Sequence, residues 1–221
     1  MAWEYPLSLA DFYDRLRVAI GSPNWQLMRN DQTSGLGSGQ PLSAELASPL
    51  WTLPVQLVSM GNDEADHILA MLEMLCHPGR KFYFSNPKRE YPAADPSGAT
   101  LGAATPTLHT IAANNRQLRI TGLPNGYRLT VGDMLAFDYG PSGQKRRALH
   151  RVTETVSALS SGVTPTFEVF PHIRAGALVG DPVFLAKPAI LASVMPGSFN
   201  PGTADTVNTH GVAFDIIQRL I

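Results

Sequence analysis

Two acidic residues and a histidine in the first third of the chain have a spacing that could bind a metal ion. Asp63 and Asp66 are three residues apart, and Asp63 and His67 are four apart, so on a helix these side chains share one face. Carboxylate and imidazole groups are common metal ligands. The sequence offers no second ligand-bearing segment, however, and acidic residues also stabilise the first turn of a helix through its dipole. We therefore expect a solvated helix start and no metal site.

The nucleophiles of the sequence form no recognisable catalytic system. The single cysteine, Cys76, is followed by His77, but neighbouring residues on a helix point about 100° apart. Cys76 continues the apolar edge of a predicted helix, so we expect a buried, unreactive thiol. A serine hydrolase needs a strained G-x-S-x-G turn, which the segment 140–143 does not have. We predict no catalytic residues and no cofactor, and a hydrolase is the least favoured function.

A glycine-rich segment at residues 35–39 has some of the composition of a phosphate-binding loop. It lacks the Gly-Lys-Ser/Thr element whose lysine contacts the outer phosphates, and a strand pattern follows it where such loops open a helix. Glycine permits backbone conformations that other residues avoid. We interpret residues 33–41 as a flexible connector.

The composition limits the classes of partner. The 221 residues include 17 basic and 18 acidic side chains, giving a net charge of −1, which argues against a broad nucleic-acid-binding face. Charged residues make up 16% of the chain against about 25% in typical domains, and interface centres are depleted in charge. No apolar run is long enough to span a membrane, and the first residues lack signal-peptide features, so we expect synthesis in the cytoplasm.

One helix is clearly indicated, at about residues 63–76. Asn62 or Asp63 can cap it, and the segment 77–79 (His-Pro-Gly) ends it. Its apolar residues recur with the period of a helix that buries one face. These residues are Ala65, Ile68, Leu69, Leu72 and Leu75.

Most of the remaining chain has the alternation and the turn residues of β-strands. Residues 91–115 lack a firm period and are interpreted as a long irregular connection, and Pro124-Asn125-Gly126 is interpreted as a hairpin turn. Trp3, Trp25 and Trp51 fall in strand patterns and are expected to pack in the core. The predicted strands are 3–9, a short alternation at 24–29, 50–59, 80–85, a strand from 117 onward in which Leu118 and Ile120 alternate, 127–131, 134–139, 149–158, 166–170, 183–185 and 212–217.

These patterns predict a mainly β (α+β) fold, an antiparallel β-sandwich or barrel flanked by one helix, with further C-terminal strands. The sequence is compatible with two units, residues 1–115 with the helix and residues 116–221 rich in β-structure, or with a single interleaved domain.

Several residues are candidates for contacts with a partner. Arg146 and Arg147 belong to a short basic cluster beside a turn, where they are either solvated or paired with an acidic neighbour. The segments 34–40, 91–115 and 196–209 are expected to be mobile loops that become ordered on docking, which costs about 1–2 kcal/mol per residue. Apolar anchors must offset that cost, and we select Phe199 and Tyr91 for this role.

Four sets of residues resemble the distal tail proteins of long, non-contractile-tailed bacteriophages and related gene transfer agents. They follow one another in order from Pro6 to about Pro188 and mark strand ends and turns, not catalytic positions. The sets are residues 6–16; Pro49-Leu50-Trp51 with the 63–75 helix and Phe82-Tyr83-Phe84; Gly122-Leu123-Pro124, Leu129, Gly132-Asp133, Tyr139 and His150-Arg151-Val152; and residues 167–174 with Gly180-Asp181-Pro182-Val183.

The resemblance implies a structural virion protein with the sandwich and helix of a tail-tube subunit. Six copies would form a ring at the tail tip, assembled in the host cytoplasm. The ring would contact the tail-tube protein above and hub and tape-measure-associated proteins below, with no enzymatic activity and no sequence-specific nucleic-acid binding. A heterologous interface that closes on itself would generate such a ring.

A second function remains open beside the ring. Peripheral barrels in relatives of this kind can bind sugar, so the chain could be a carbohydrate-binding module of a tail tip that contacts host glycans. This alternative requires exposed aromatic residues, for which Tyr127 and Tyr139 are the candidates.

Overall fold

The computed structural model describes residues 4–16, 24–35, 37, 39–141 and 145–220. It confirms a mainly β fold with antiparallel sheets and one long helix. A π-helical turn, Leu9–Tyr13, runs into a short helix α1, Asp14–Leu16, and the long helix α2 is Asn62–Leu75. The strands are β1 Gln26–Gly35, β2 Pro41–Gln56, β3 Met60–Gly61, β4 Phe82–Ser85, β5 Thr107–Ile111, β6 Gln117–Thr121, β7 Arg128–Leu129, β8 Met134–Tyr139, β9 Arg146–Val152, β10 Val156–Ser157, β11 Phe167–Phe170, β12 Val183–Phe184, β13 Ala189–Val194, β14 Thr203–Ala204, β15 Asn208–His210 and β16 Ala213–Gln218.

The first sheet has the strand order β1-β2-β16-β13-β4. Its inner face and α2 enclose the first core, because Trp51, Leu53 and Val55 alternate toward the interior along β2. Helix α2 buries one stripe on the same core, formed by Ala65, Ile68, Leu72 and Leu75. The predicted helix is therefore confirmed, and so is the core position of Trp51 and Trp25.

The second sheet has the order β12-β8-β9-β11-β6-β5 and curls into a barrel. A bridge between Thr107 and Pro182 joins its two edge strands, and the Leu108 amide donates to the Asp181 carbonyl. The barrel is thus nearly closed, which leaves little open edge for another chain to pair with. Its interior is a second core of aromatic and aliphatic side chains, which includes Phe137 and Phe167.

Strands β8 and β9 form a wall shared by the two cores. Leu135 and Phe137 point into the barrel, whereas Met134, Ala136 and Leu149 pack against the first core. Both faces of these strands are therefore buried, and β8 is an almost continuous apolar run.

The two sheets are interleaved along the sequence. The first sheet takes strands from both ends of the chain, and the barrel comes from the part between β4 and β13. A division at residue 115 falls between β5 and β6, which pair with each other. The boundaries 1–115 and 116–221 therefore do not coincide with the sheets.

The start of α2 differs from the sequence-based expectation. Gly61 is the N-cap and provides no side-chain hydrogen bond. The side chain of Asn62 instead donates to the Asp205 carbonyl and accepts from the Thr209 hydroxyl. Asn62 thus ties the 196–209 segment to the helix, and this segment forms β14 and β15 beside β3. Contacts within the chain therefore order the 196–209 segment.

Several strand predictions were wrong in detail. Leu9 opens a π-helical turn, so residues 3–9 do not form one strand, and Trp3 lies outside the described residues. The turn at Pro124 is present, but β6 and β7 do not pair across it. The predicted strand 149–158 is split into β9 and β10, β5 lies within the supposed connection 91–115, and β13 was not predicted.

Two loop predictions also changed. The connector is shorter than the predicted residues 33–41, because β1 continues to Gly35 and β2 begins at Pro41. Leu36 and Ser38 of this connector lie outside the described residues. Residues 142–144 of the turn after β8 are likewise outside them. Among the described residues, none of the helices combines the length and the apolar character needed to cross a bilayer.

Candidate functional site

The two predicted basic contacts lie at the start of β9. Arg147 forms two hydrogen bonds with Asp138, and its guanidinium carbon is 4.1 Å from the centre of the Phe184 ring. Only 13% of the Arg147 side chain is exposed, so its charge is largely paired with Asp138 inside the chain and little of it faces solvent. Arg146 is half-buried opposite Tyr139 on β8.

The two predicted anchors are partly covered by the chain itself. The Tyr91 ring lies so close to Gly98 that an added Cβ there would overlap it. Phe199 is partly buried against the first core. Neither position shows by itself that a partner binds there, and both remain predictions as interface residues.

The 91–106 segment is held in place by two buried carboxylates. Asp133 accepts from the Ala93 amide at 2.8 Å, and Asp95 accepts from the Leu101 amide at 2.8 Å. Both side chains are buried, so each bond replaces a lost contact with water. The expectation that this segment needs a partner to become ordered was therefore wrong.

The aromatic residues chosen for glycan binding are not on the surface. Tyr127 and Tyr139 are 2% and 3% exposed and belong to the barrel core. Burial and the nearby Asp95 and Asp133 carboxylates raise the pKa of the Tyr127 hydroxyl. A stacking platform for a sugar must face solvent, so the selection of these two residues was wrong.

Apart from the neighbouring Asp95 and Tyr127, the groups with shifted pKa values are dispersed across the molecule. Burial lowers the pKa of His150, inside the barrel, to about 4. Backbone amides of Asn208 and Val207 lower the pKa of Asp205, on a surface turn, to about 2. Partial burial and the neighbouring Glu73 raise the pKa of the Cys76 thiol. Perturbed groups that share a cleft mark active sites, and these do not share one.

Cys76 and the histidine-acid group also differ from a reactive site. Cys76 is exposed at the end of α2, so the expectation of a buried thiol was wrong, although its raised pKa disfavours the reactive thiolate. Across residues 4–16, 24–35, 37, 39–141 and 145–220, no three His, Cys, Asp or Glu side chains are grouped closely enough to hold a metal ion.

The most exposed structured part of the molecule is the outer half of the β1–β2 hairpin. We define the ribbon as residues 28–35 and 41–50 of these strands. Every described residue from Gln32 to Gly35 and from Pro41 to Ser48 is exposed. The ribbon carries apolar side chains on this surface, with Met28, Leu42 and Leu46 exposed by 43%, 55% and 62%.

The ribbon is composed of residues that do not favour strands. Asn, Asp, Gln, Ser, Ala, Glu and Pro dominate both of its strands, whereas β-branched and aromatic residues stabilise isolated β-structure. A two-stranded hairpin without a covering layer is only marginally stable in water. Strand β16 pairs with β2 only over residues 52–56, so the ribbon extends beyond the sheet.

The base of the ribbon is fastened to the barrel. The Arg174 guanidinium donates to the Pro49 carbonyl at 3.0 Å, and within the ribbon itself Arg29 pairs with Asp31 at 2.7 Å. These contacts lie in a cleft of about 200 Å³ between the ribbon and the end of β11, where Glu45 faces Asp31 across the hairpin. The ribbon is therefore directed by the body of the molecule while its far end remains uncovered.

Sequence reasoning placed a contact loop at 34–40 but missed the outer parts of the two strands that flank it. The signal that could have found them is the alternation of Leu42, Ala44 and Leu46 with polar residues directly after the glycines. Comparison with known families finds no family model that matches this chain. No curated protein matches it either.

Proposed function

We propose that this chain is a structural subunit of a bacteriophage tail tip that assembles with copies of itself into a ring. In the ring it joins the tail tube to the hub proteins. The observation that carries the proposal is the ribbon. It is a long structured surface that exposes leucines and contains few of the residue types that favour β-strands. Such a ribbon gains stability when a neighbouring subunit covers it.

The remainder of the architecture supports an assembly role. The nearly closed barrel and the paired first sheet form the body of the molecule, and the ribbon extends from that body with its base held by the Arg174 contact. Preorganised contact surfaces lose less conformational entropy on binding than flexible loops do. The resemblance to distal tail proteins supplies the location in the virion, and we assign no catalytic role.

The first test is the state of the purified chain over a range of concentrations. Mass photometry and negative-stain images should show closed rings whose abundance rises with concentration. The double variant Leu42→Asp/Leu46→Asp places two charges on the ribbon, and we expect it to remain monomeric and folded. Leu159→Asp, on another exposed leucine (51%), is the matched control and should still form rings.

A wild-type chain that stays monomeric at every concentration would contradict the proposal. Equal ring formation by the ribbon variant and the control would also contradict it. Immunogold labelling of virions separately tests the location: labels should be confined to the distal end of the tail, and labels on the capsid would exclude the assigned position.

A further inference from the structure

A second surface depression combines positively charged side chains with one tryptophan. This cleft, which we call the basic cleft, has a volume of about 200 Å³ and lies between the start of β1, the segment after β4 and the shared wall of β8 and β9. Its lining residues are Asn24, Trp25, Asn86, Lys88, Arg89, Gly132, Met134 and Arg151.

The cationic groups of the basic cleft are only partly neutralised by the chain. Lys88 donates to the Asn24 side chain at 2.7 Å, and within the described ranges neither Lys88 nor Arg151 has an ion-pair partner. Arg89 reaches Asp133 at 3.4 Å, but that carboxylate is fully buried. Asp133 also accepts shorter bonds from Ala93 and Thr130. Three cations therefore face one buried anion, in a protein whose net charge is −1.

These side chains are held in place before any ligand arrives. The guanidinium carbon of Arg151 lies 5.3 Å from the centre of the Trp51 ring, and Trp25 packs edge-on against the same ring at 6.1 Å. The Asn86 side chain accepts from the Lys88 amide and the Asn86 carbonyl from the Arg89 amide, so a tight turn presents the two basic residues together. Arginine stacked on an aromatic ring keeps its donors free for a carboxylate.

The size of the basic cleft suits one or two carboxylate side chains. Pockets for small molecules usually have volumes of about 300–1,000 Å³. A nucleic-acid surface requires many phosphate contacts, and three cations cannot supply them. The chemistry that fits is a short acidic protein segment, with its aliphatic part against Trp25 and Met134.

The same chain has an acidic surface that matches this description. Asp63, Glu64 and Asp66 are all exposed in the first turns of α2, a position that the helix dipole favours. None of the three forms an ion pair with any residue in the described part of the chain. Two complementary surfaces that do not meet within one chain can meet between copies.

We propose that the basic cleft of one subunit binds the acidic start of α2, namely Asp63, Glu64 and Asp66, on the next subunit. This inference rests on the proposed ring and defines one of its contacts. The two surfaces are different, so the contact is heterologous, and repetition of one rotation closes it into a ring. Charge complementarity of this kind fixes register and excludes wrong pairings.

Charge reversal tests the contact. The variant Lys88→Glu/Arg89→Glu makes the cleft acidic, and Asp63→Lys/Asp66→Lys makes the helix start basic. Each variant alone places like charges across the contact, so we expect its ring fraction to fall about tenfold or more. Combining all four changes in one chain, or mixing the two variants, restores opposite charges and should restore rings. Near-ultraviolet circular dichroism checks that every variant is folded.

The outcomes separate this inference from the function it rests on. Wild-type rings together with unchanged rings in both double variants would overturn the contact and leave the ring function standing. Folded double variants that lose rings without mutual rescue would also overturn it, because the cleft and the helix start would then not contact each other in the ring. A wild-type chain that never assembles would overturn both proposals.

Discussion

His150 is the buried residue whose ionisation most affects the barrel. It stacks on Phe137 with ring centres 4.9 Å apart, and its Nδ1 lies 2.7 Å from the Pro171 carbonyl. A carbonyl only accepts, so Nδ1 carries the proton of a neutral ring. Nε2 is buried with no partner among the described residues. Burial and then the charge of Arg174 lower the pKa of His150 to about 4, against the bond to Pro171, which acts to raise it.

We predict that this residue makes the fold sensitive to mild acid. The unfolded chain takes up the His150 proton near pH 6.5 and the folded chain only near pH 4, so stability falls as the pH drops through that interval. Between pH 7 and pH 4.5 the loss due to His150 should be about 2–3 kcal/mol. Urea unfolding of wild type and His150→Leu at both pH values measures it.

The variant should lose this part of the pH dependence, whatever its stability at pH 7. His77→Leu, a change at an exposed histidine, is the control and should follow wild type. Equal pH dependence in wild type and His150→Leu would show that the buried imidazole does not control acid stability.

At the scale of elements, the turn before β14 depends on a glycine. Gly202 has φ +77°, and a Cβ there would overlap the His210 carbonyl oxygen and lie 2.9 Å from the Val212 amide nitrogen. Gly211 has almost the same φ, +75°, but nothing lies within 4 Å of its added Cβ. A comparison of substitutions at Gly202 and Gly211 therefore separates the cost of backbone strain from the cost of steric overlap.

We expect Gly202→Ala to reduce the free energy of unfolding by about 3 kcal/mol or more, because backbone atoms must move. Gly211→Ala should cost only about 1–2 kcal/mol, the penalty of the left-handed conformation alone. Urea denaturation of both variants measures the difference. Equal losses in the free energy of unfolding would mean that the β14–β15 segment shifts to accommodate the added Cβ without disturbing the first core.

The ribbon should behave as a separate element in hydrogen exchange. In the monomer its amides should exchange faster than those of β13, because the ribbon has few buried apolar contacts and β13 is fully buried. In assembled rings the ribbon amides should become protected while those of β13 stay unchanged. Mass-spectrometric exchange on both fractions tests this, and a ribbon equally exposed in rings would contradict its assigned role.

The elements that could be predicted are those in which one face is buried. Helix α2 and the inner half of β2 have clear periods because the other face meets water. Strand β13, Ala189–Val194, is buried on both faces, so its sequence, which is apolar except for Ser193, has no alternation to recognise. The ribbon was interpreted partly as a loop because its residues disfavour strands, and the basic cleft joins distant segments that no local pattern connects.

At the scale of the whole molecule, a buried hydrogen bond from an indole links the first sheet to the barrel. The Trp51 indole donates to the Leu149 carbonyl at 2.7 Å across the shared wall. Because β9 supplies both cores, we expect the chain to unfold in one cooperative transition, with circular dichroism and fluorescence changing together.

We predict that Trp51→Phe lowers the free energy of unfolding by about 2–3 kcal/mol, since the Leu149 carbonyl is left buried and unpaired. Trp25→Phe makes the same chemical change where no such bond occurs among the described residues, and should cost about 1 kcal/mol. Urea titrations of both variants provide the comparison. Equal costs would mean that the indole bond does not couple the two cores.

The interleaved path of the chain has a consequence for how such a molecule can diversify. Strands β4 and β13 are paired, with Ser85 opposite Ala189, so the polypeptide leaves the first sheet and re-enters it one strand spacing away. The Ser85 hydroxyl donates a hydrogen bond to the Pro188 carbonyl at the point where the chain leaves and re-enters this sheet. Because the two ends of the inserted segment are adjacent, a different module could replace the barrel at this position. That module would have to cover the apolar surface of the first core that Met134, Ala136 and Leu149 now contact.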